Sequence, residues 1–534
     1  MMKEIVLFFA VLVAIVIGQA NQPLNVVPYP QQVEMGSCNI PVTSILITSN
    51  IESTTFSVSM ERYTNLFFPF NNVSNSEEND SSSITLEVTI YSDDETLQFG
   101  IDESYNLVIQ EESYQIKTAT IYGAMRALET FKQLITYNQL DNSYSIQCVS
   151  ISDYPRYPWR GFMVDTARHF IPKNMILHMI DSLGFSKFNV LHWHIVDAVS
   201  FPVESTTYPN LTKGAFSPSA VFSHSDIEEV VAYAKTYGIR VIPEFDIPGH
   251  AAAWGIGYPE LVATCPDYAA NVNNIPLDIS NPNTFTFLQN FFSEISPLFF
   301  DNYFHTGGDE LVTGCWTEDP TILNWMTKMG FSTTDAFQYF ENNLDNIMKS
   351  INRTKITWND PIDYGVQLNP ETLVQVWSSG SDLQGILNSG YKALVSFAWY
   401  LDKQVPDGKI HYEWQDTWQD FYAADPTVNI TSNSNNILGG EATMWAEQIN
   451  QVNWDVRVWP RAIGIAERLW SSQSINTVSL ALPRIGQFTC DLSRRGIQSG
   501  PLFPDYCPMQ DDLVFTMKPN IKLSNSEIKL ILNK

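Results

Sequence analysis

From Trp159 onward the chain repeats one pattern, an apolar run of strand length that ends in acids, histidines or aromatics. In order the runs are "GFMVDTAR", "FNVLHWHIVD", "IRVIPEFDIPGH", "YFHTGGDE", "KITWND", "TLVQVWSSG", "ALVSFAWYLD" and "ILGGEATMWAE". Helical spacing fills several intervals: Lys173 to Leu183, Ile227 to Tyr237 behind a Ser225-x-x-Glu228 capping-box pattern, Phe285 to Ile295, and Ala336 to Ile351. Strands buried on both faces read as nearly continuous apolar runs. Eight of them alternating with helices predict an α/β fold, a (β/α)8 TIM barrel. A doubly wound open sheet fits less well, because no Gly-rich phosphate loop follows the first strand.

The earlier part of the chain differs. Short strand-like runs at Ser44 to Thr48, Ile84 to Ile90 and Tyr105 to Gln110 alternate with Asn/Ser-rich connections, and Thr120 to Ile135 has helical spacing. These predict a small α+β domain over 21–155. Pro155 and Pro158, within Asp153 to Trp159, mark its end. A barrel over 156–490 and a carboxyl-terminal segment over 491–534, packed on the barrel, complete the expected division.

Residues 1–20 read as a signal peptide. Lys3 is a short basic region, Ile5 to Ile17 is apolar, and Gly18-Gln19-Ala20 offers small residues for cleavage after Ala20. An uncleaved anchor is the alternative, disfavoured by the shortness of the run. No later run is long and apolar enough to span a bilayer, so a soluble mature chain without stable membrane insertion is expected. In the secretory pathway the six cysteines are potential disulfide partners, with 15 possible pairings. Sequons at Asn72, Asn79, Asn210, Asn352 and Asn429 are candidate glycosylation sites.

Thirty basic against 58 acidic residues give a formal charge of −28. Such a chain repels nucleic acid, which is excluded as a partner. An acidic compartment relieves the self-repulsion, pointing to a lysosome or to secretion.

The stretch "YFHTGGDELVTGCW", Tyr303 to Trp316, carries the candidate chemistry. Two glycines and two adjacent acids, Asp309 and Glu310, suit the carboxyl end of a buried strand and the loop that follows. Barrel active sites form at those ends. Arg168, Asp197, His250, Trp358, Trp377, Tyr400, Trp445 and Glu447 stand at the ends of other predicted strands and complete a ring. No G-x-S-x-G nucleophile elbow and no nucleotide loop is present. His192 and His194 share one strand face and read as hydrogen-bonded core residues rather than zinc ligands. Neither a metal nor a cofactor is expected.

Carboxylates among tryptophans suit carbohydrate, because indole faces stack on sugar rings and acids bind hydroxyls. Glycosidic cleavage ordinarily uses an acid and a second carboxylate about 5 Å away as nucleophile. Adjacent residues cannot easily straddle the bond in that way. One acid can instead protonate the leaving oxygen while its neighbour orients a nucleophile that belongs to the substrate.

The motifs "DTARHF", "NVLHWHIVD", "PEFDIPGH", "HTGGDE", "VSFAWYLD" and "GGEATMWAE" resemble glycoside hydrolase family 20, the β-N-acetylhexosaminidases of lysosomal type. The resemblance implies exo-acting, retaining hydrolysis of terminal β-linked GlcNAc or GalNAc from oligosaccharides and glycoconjugates through an oxazoline intermediate. By resemblance Glu310 is the general acid and Asp309 orients the 2-acetamido group; on physical grounds the adjacent anion Asp309 is expected to raise the Glu310 pKa. Asp197 and His250 stand behind Glu310, and Arg168 binds sugar hydroxyls. Trp358 and Trp377 wall the acetamido pocket, Tyr400 binds its oxygen, Trp445 stacks beneath the ring, and Asp402 and Glu447 take outer hydroxyls.

The resemblance also implies a homodimer and a Cys265–Cys315 disulfide. Cys490 and Cys507, close in sequence, are expected to pair, leaving Cys38 with Cys148. One departure is Ala198 after Asp197, where the family commonly has a second acid. A catalytically inactive carbohydrate-binding protein on the same scaffold is the competing reading, as is an ordinary retaining glycosidase, for which no separate nucleophile is evident.

Overall fold

The computed structural model describes residues 24–70, 82–403, 418–504, 507 and 519–534. The signal segment and the sequons Asn72 and Asn79 lie outside these described residues. Seven strands form the amino-terminal sheet: β1 Gln32–Pro41, β2 Ser44–Ser49, β3 Ser83–Ile90, β4 Tyr105–Gln110, β5 Ser113–Thr118, β6 Ile135–Asn138 and β7 Ser143–Asp153. Their order is β1-β7-β4-β5-β3-β2, with β6 paired to β7. The helix Ile121–Leu134 covers this sheet, its first turn capped by the Thr120 hydroxyl, which accepts from the Gly123 amide.

The eight runs of the second region form the barrel. They are β8 Trp159–Asp165, β9 Val190–Val196, β10 Arg240–Phe245, β11 Tyr303–His305, β12 Thr354–Trp358, β13 Leu373–Val376, β14 Lys392–Val395 and β15 Ile437–Met444. All neighbours pair in parallel, and β15 closes on β8. In β8, β9 and β10 every residue is buried, because barrel interior and helical layer cover opposite faces of each strand.

The expected helices are present with shifted ends: Lys173–Phe185, His224–Lys235, Pro282–Ile295 and Thr333–Ser350. The capping box of the second is Ser223 with Asp226, not Ser225 with Glu228. Asp226 accepts in return from the Ser223 amide and also meets Lys173 Nζ at 2.6 Å, which favours the earlier start. The helix Val478–Arg494 runs through the division expected at 490. Farther on, Asn525–Leu532 packs on the barrel helix His224–Lys235, where Lys235 Nζ donates to the Ile531 carbonyl.

Disulfides join Cys38 to Cys148, Cys265 to Cys315 and Cys490 to Cys507. No helix among the described residues is long and apolar enough to cross a membrane. Trp459 and Trp470 are fully buried, and the Trp470 indole donates to Asp153 at the end of β7, linking barrel helix to amino-terminal sheet.

Candidate active site

The loop after β11 is built by glycine. Gly307 has φ +68° and Gly308 has φ +102°, and both accept little company: a Cβ on Gly307 would lie 1.7 Å from Asp246 Oδ1. The Gly308 amide donates to that same oxygen at 3.0 Å. This path carries the chain from the short β11 into Asp309 and Glu310.

Gly307→Ala therefore combines a left-handed backbone with a clash. Gly330→Ala has the same φ of +68° and nothing within 4 Å of the new methyl, so it isolates the backbone cost. We expect Gly330→Ala to lose about 1–3 kcal/mol at most, with full activity. Gly307→Ala should lose more and displace the acids. Thermal denaturation with parallel rate measurements checks both, and equal losses would refute the steric account.

Arg168, Asp309, Glu310, Trp358, Trp377, Tyr400, Asp402, Trp445 and Glu447 line one pocket of about 230 Å³ at the carboxyl end of the barrel. Asp197 and His250, also expected at the site, stand behind it as buried residues. A larger cleft of about 300 Å³ lies between the amino-terminal domain and the helix Val478–Arg494, and it holds none of the strand-end acids.

The two adjacent acids occupy opposite environments. Asp309 is buried, and among the described residues no donor reaches its Oδ1. Burial pushes its carboxyl up to about 7, with His250 opposing and Asp360 and Glu244 reinforcing. Glu310 adopts φ +48° and its side chain is 57% exposed. Its Oε2 lies 3.5 Å from His250 Nε2, and that contact holds the Glu310 carboxyl below its ordinary value. The expectation that Asp309 raises Glu310 is thus corrected. Glu310 is exposed beside His250, whereas Asp309 is enclosed, and burial acts on Asp309 instead.

Behind Glu310 runs an alternating series of imidazoles and carboxylates. His250 Nδ1 is 3.2 Å from Asp197 Oδ1, and Asp197 Oδ2 is 3.0 Å from His194 Nε2 and 2.7 Å from Arg168 Nη2. His194 Nδ1 pairs with Glu244, which meets His192 Nε2 at 3.0 Å, and His192 Nδ1 is 2.9 Å from Glu441 Oε2. Burial opposes charge on each imidazole, but the flanking carboxylates outweigh it. They raise His250 and His194 well above the usual range and His192 to about 9.

His192, Glu244 and His305 bring ligand atoms within 4.8 Å of one another. Both nitrogens of His192 and both of His194 face carboxylates, and both rings are buried. Glu244 Oε1 also accepts from the Trp358 indole at 2.8 Å, tying this series to the pocket wall.

The walls are aromatic. Trp358 is buried, its ring centroid 5.9 Å from that of Trp445, and the Arg168 guanidinium lies 4.8 Å over Trp445. Arg168 is both pocket-lining and paired, to Asp197 and Asp165. Asp402 is pushed up to about 6 by burial, and no partner reaches its Oδ1 among the described residues. Ala198, in place of a second acid, is buried and donates its amide to Asp197.

Sequence reasoning passed over three residues. Asp165, the first acid of "DTARHF", accepts from the amides of Ala167, Arg168 and Ala446 and so fixes the loop that carries Arg168. Glu244 sits inside the quoted "PEFDIPGH". Asp360 closes "KITWND" and touches both Glu310 and Trp377. Each lay within a quoted run, but local pattern cannot show which side chains meet.

A parallel barrel whose strand-end pocket combines buried and exposed carboxylates with an aromatic wall is the architecture of a carbohydrate-cleaving hydrolase. Comparison with known proteins makes this specific. Residues 157–473 match the glycosyl hydrolase family 20 catalytic domain, and 21–134 match a domain described as beta-acetyl hexosaminidase like. The chain is 85% identical to beta-hexosaminidase subunit A1 of Dictyostelium discoideum over 100% of both chains. It is 40% identical to the rat beta-hexosaminidase subunit beta over 77% of each. A Flavobacterium johnsoniae chitobiase superposes with TM-score 0.77 at 28% identity, over 90% of this chain and 74% of that one. The chain belongs to glycosyl hydrolase family 20 and is a β-N-acetylhexosaminidase.

Proposed function

We propose that the enzyme removes terminal non-reducing β-linked GlcNAc or GalNAc one residue at a time, with retention, by substrate-assisted catalysis. The observation that carries this reading is Asp309: a buried carboxylate with an unpartnered oxygen, lining a pocket walled by Trp358, Trp377 and Tyr400. An acetamido N–H supplies the missing donor. A serial exo action accords with a pocket of about 230 Å³.

In the first step the glycosidic oxygen takes a proton from Glu310 as its bond to the anomeric carbon breaks. The acetamido carbonyl oxygen attacks that carbon, forming the oxazolinium ring, and Asp309 balances the positive charge. Glu310 then takes a proton from water, which attacks the same carbon and opens the ring. Two inversions give retention. Glu310, exposed to solvent, takes its proton from water, and His250, held charged by Asp197, faces Glu310 Oε2. Sugar covering the exposed Glu310 also removes water from it and lifts its pKa. Arg168, Asp402 and Glu447 bind hydroxyls, and Trp445 supplies a stacking face.

A chromogenic β-N-acetylglucosaminide and the matching β-glucoside test the reading. Rapid release from the first and none measurable from the second is expected. Comparable rates on both would overturn it and favour an ordinary retaining glycosidase.

We further infer an acidic, lysosomal or secreted setting from the charge of −28. Glycans are proposed on the exposed Asn210, Asn352 and Asn429. Relatives named as subunits support assembly with a further chain, and a homodimer is the form proposed.

A further inference from the structure

Besides Asp246 after β10, the loop that carries the two acids is held from the end of β12. Gly307 accepts at its carbonyl from the Thr357 hydroxyl at 2.7 Å and from the Trp358 amide at 3.0 Å. The Leu311 carbonyl accepts from the Tyr364 hydroxyl at 2.8 Å. Between these anchors stands Asp360, at the start of the short helix Asp360–Asp363. Its Oδ1 accepts from the Glu310 backbone amide at 3.0 Å, and its Oδ2 accepts from the Trp377 indole at 2.7 Å.

Each of those contacts answers a local need. Glu310 holds φ +48°, a left-handed conformation that a residue with a Cβ adopts only when its surroundings impose it. A charged acceptor on its amide does so more strongly than a neutral one. Trp377 stands on a different strand end. It is held twice, by Asp360 at the indole and by Asn359 Oδ1, which accepts from the Trp377 backbone amide at 3.0 Å. Asn359 is itself fixed, since its amide donates to Asp363 at 2.6 Å.

We propose that Asp360 is a positioning residue for the reaction: one carboxylate sets both the backbone of the proton donor Glu310 and the indole of Trp377, coupling the acid to the acetamido wall. The inference rests on the roles proposed above for Glu310 and Trp377. Its two arms share a carboxylate, so disturbing Asp360 disturbs proton transfer and acetamido recognition together. A residue serving the fold alone would lower stability and leave the two untouched.

Asp360 also faces Asp309 electrostatically. The charged or titratable groups facing Asp309 include His250, Asp360, Glu244 from β10 and His194 from β9, together with the buried carboxyl of Asp246 and the guanidinium of Arg168, with burial the largest influence. Asp360 raises the Asp309 carboxyl, so removing its charge lowers it. The acid limb of the pH profile, where activity appears as Asp309 ionises, then moves to lower pH.

The test uses the full-length enzyme carrying Asp360→Asn or Asp360→Glu, with thermal denaturation beside kinetics on acetamido substrates of good and poor leaving group. The inhibition constant of a thiazoline mimic of the cyclised sugar is read in parallel. An asparagine can offer only one acceptor oxygen to two donors. Asp360→Asn is expected to lower kcat/KM about tenfold to a hundredfold, as for loss of a charged hydrogen bond. It should also weaken the mimic and shift the acid limb to lower pH.

Asp360→Glu keeps the charge but displaces it by a methylene. It should lower kcat/KM with the acid limb near that of the wild type, and it carries the test if the asparagine variant does not fold. Wild-type kinetics and pH profile in either folded variant would overturn the proposal. So would a loss of stability with unaltered rates. If the wild type itself shows no dependence on the acetamido group, the catalytic reading fails rather than the role of Asp360.

Discussion

Glu310→Gln is expected to lose about 10²- to 10⁴-fold in turnover of substrates with poor leaving groups, the range general acid catalysis supplies. A glutamine keeps the size of the side chain and its place beside His250 but has no transferable proton. Substrates with good leaving groups need less protonation and should be spared in the first step. The second step still needs a base for water, so an intermediate should accumulate with them as an early burst. The residue is half exposed and its side chain meets His250 at 3.5 Å, so the substitution should not disturb the fold. Steady-state rates across leaving groups and a melting curve check both points. Near-normal cleavage of a natural chitooligosaccharide would remove Glu310 from its role.

Asp309→Asn should be nearly as damaging, for a different reason. A neutral amide can still accept the acetamido hydrogen bond through its oxygen, but it cannot balance the positive charge of the oxazolinium. Charge stabilisation in a desolvated site is worth several kcal/mol, on the order of 10²-fold or more in rate. The same argument predicts that a thiazoline mimic binds the wild type far more tightly than the product does, and that the variant loses most of this advantage. The position of the Asp309 carboxyl, pushed up to about 7 by burial, fits a group that gains most when positive charge arrives. Mass spectrometry with a slow substrate decides the matter. A sugar attached to Asp309 would make it an ordinary nucleophile and refute the substrate-assisted route.

Asp309 and Glu310 show why adjacency alone was a poor guide to their pKa values. Two neighbouring anions in a chain are expected to raise one another. In the folded loop the backbone at Glu310 is left-handed, Asp309 is enclosed, and Glu310 faces solvent and His250. Through-space partners then outweigh the sequence neighbour.

What the chain determined by itself is the barrel and the cast of its pocket. Runs such as "FNVLHWHIVD" and "ILGGEATMWAE" must be buried on both faces, and their final polar residues must therefore gather at one end, whatever the details of packing. That logic gathers Arg168, Asp309, Glu310, Trp358, Trp377, Tyr400, Trp445 and Glu447 around one pocket, and it gathers there too Asp197 and His250, which the structure places behind the wall. Only the tertiary structure decided how they interact. Asp360 reaches Glu310 across 50 residues and Trp377 across 17, and Glu244 reaches Trp358 across 114. Such contacts join different strand ends, and hydrophobic periodicity carries information about which face is buried but none about which buried polar groups meet. The helix at His224 makes the same point locally: two Ser/acid pairs fitted a capping box, and an ion pair from Lys173 to Asp226, outside the segment, favours the one adopted.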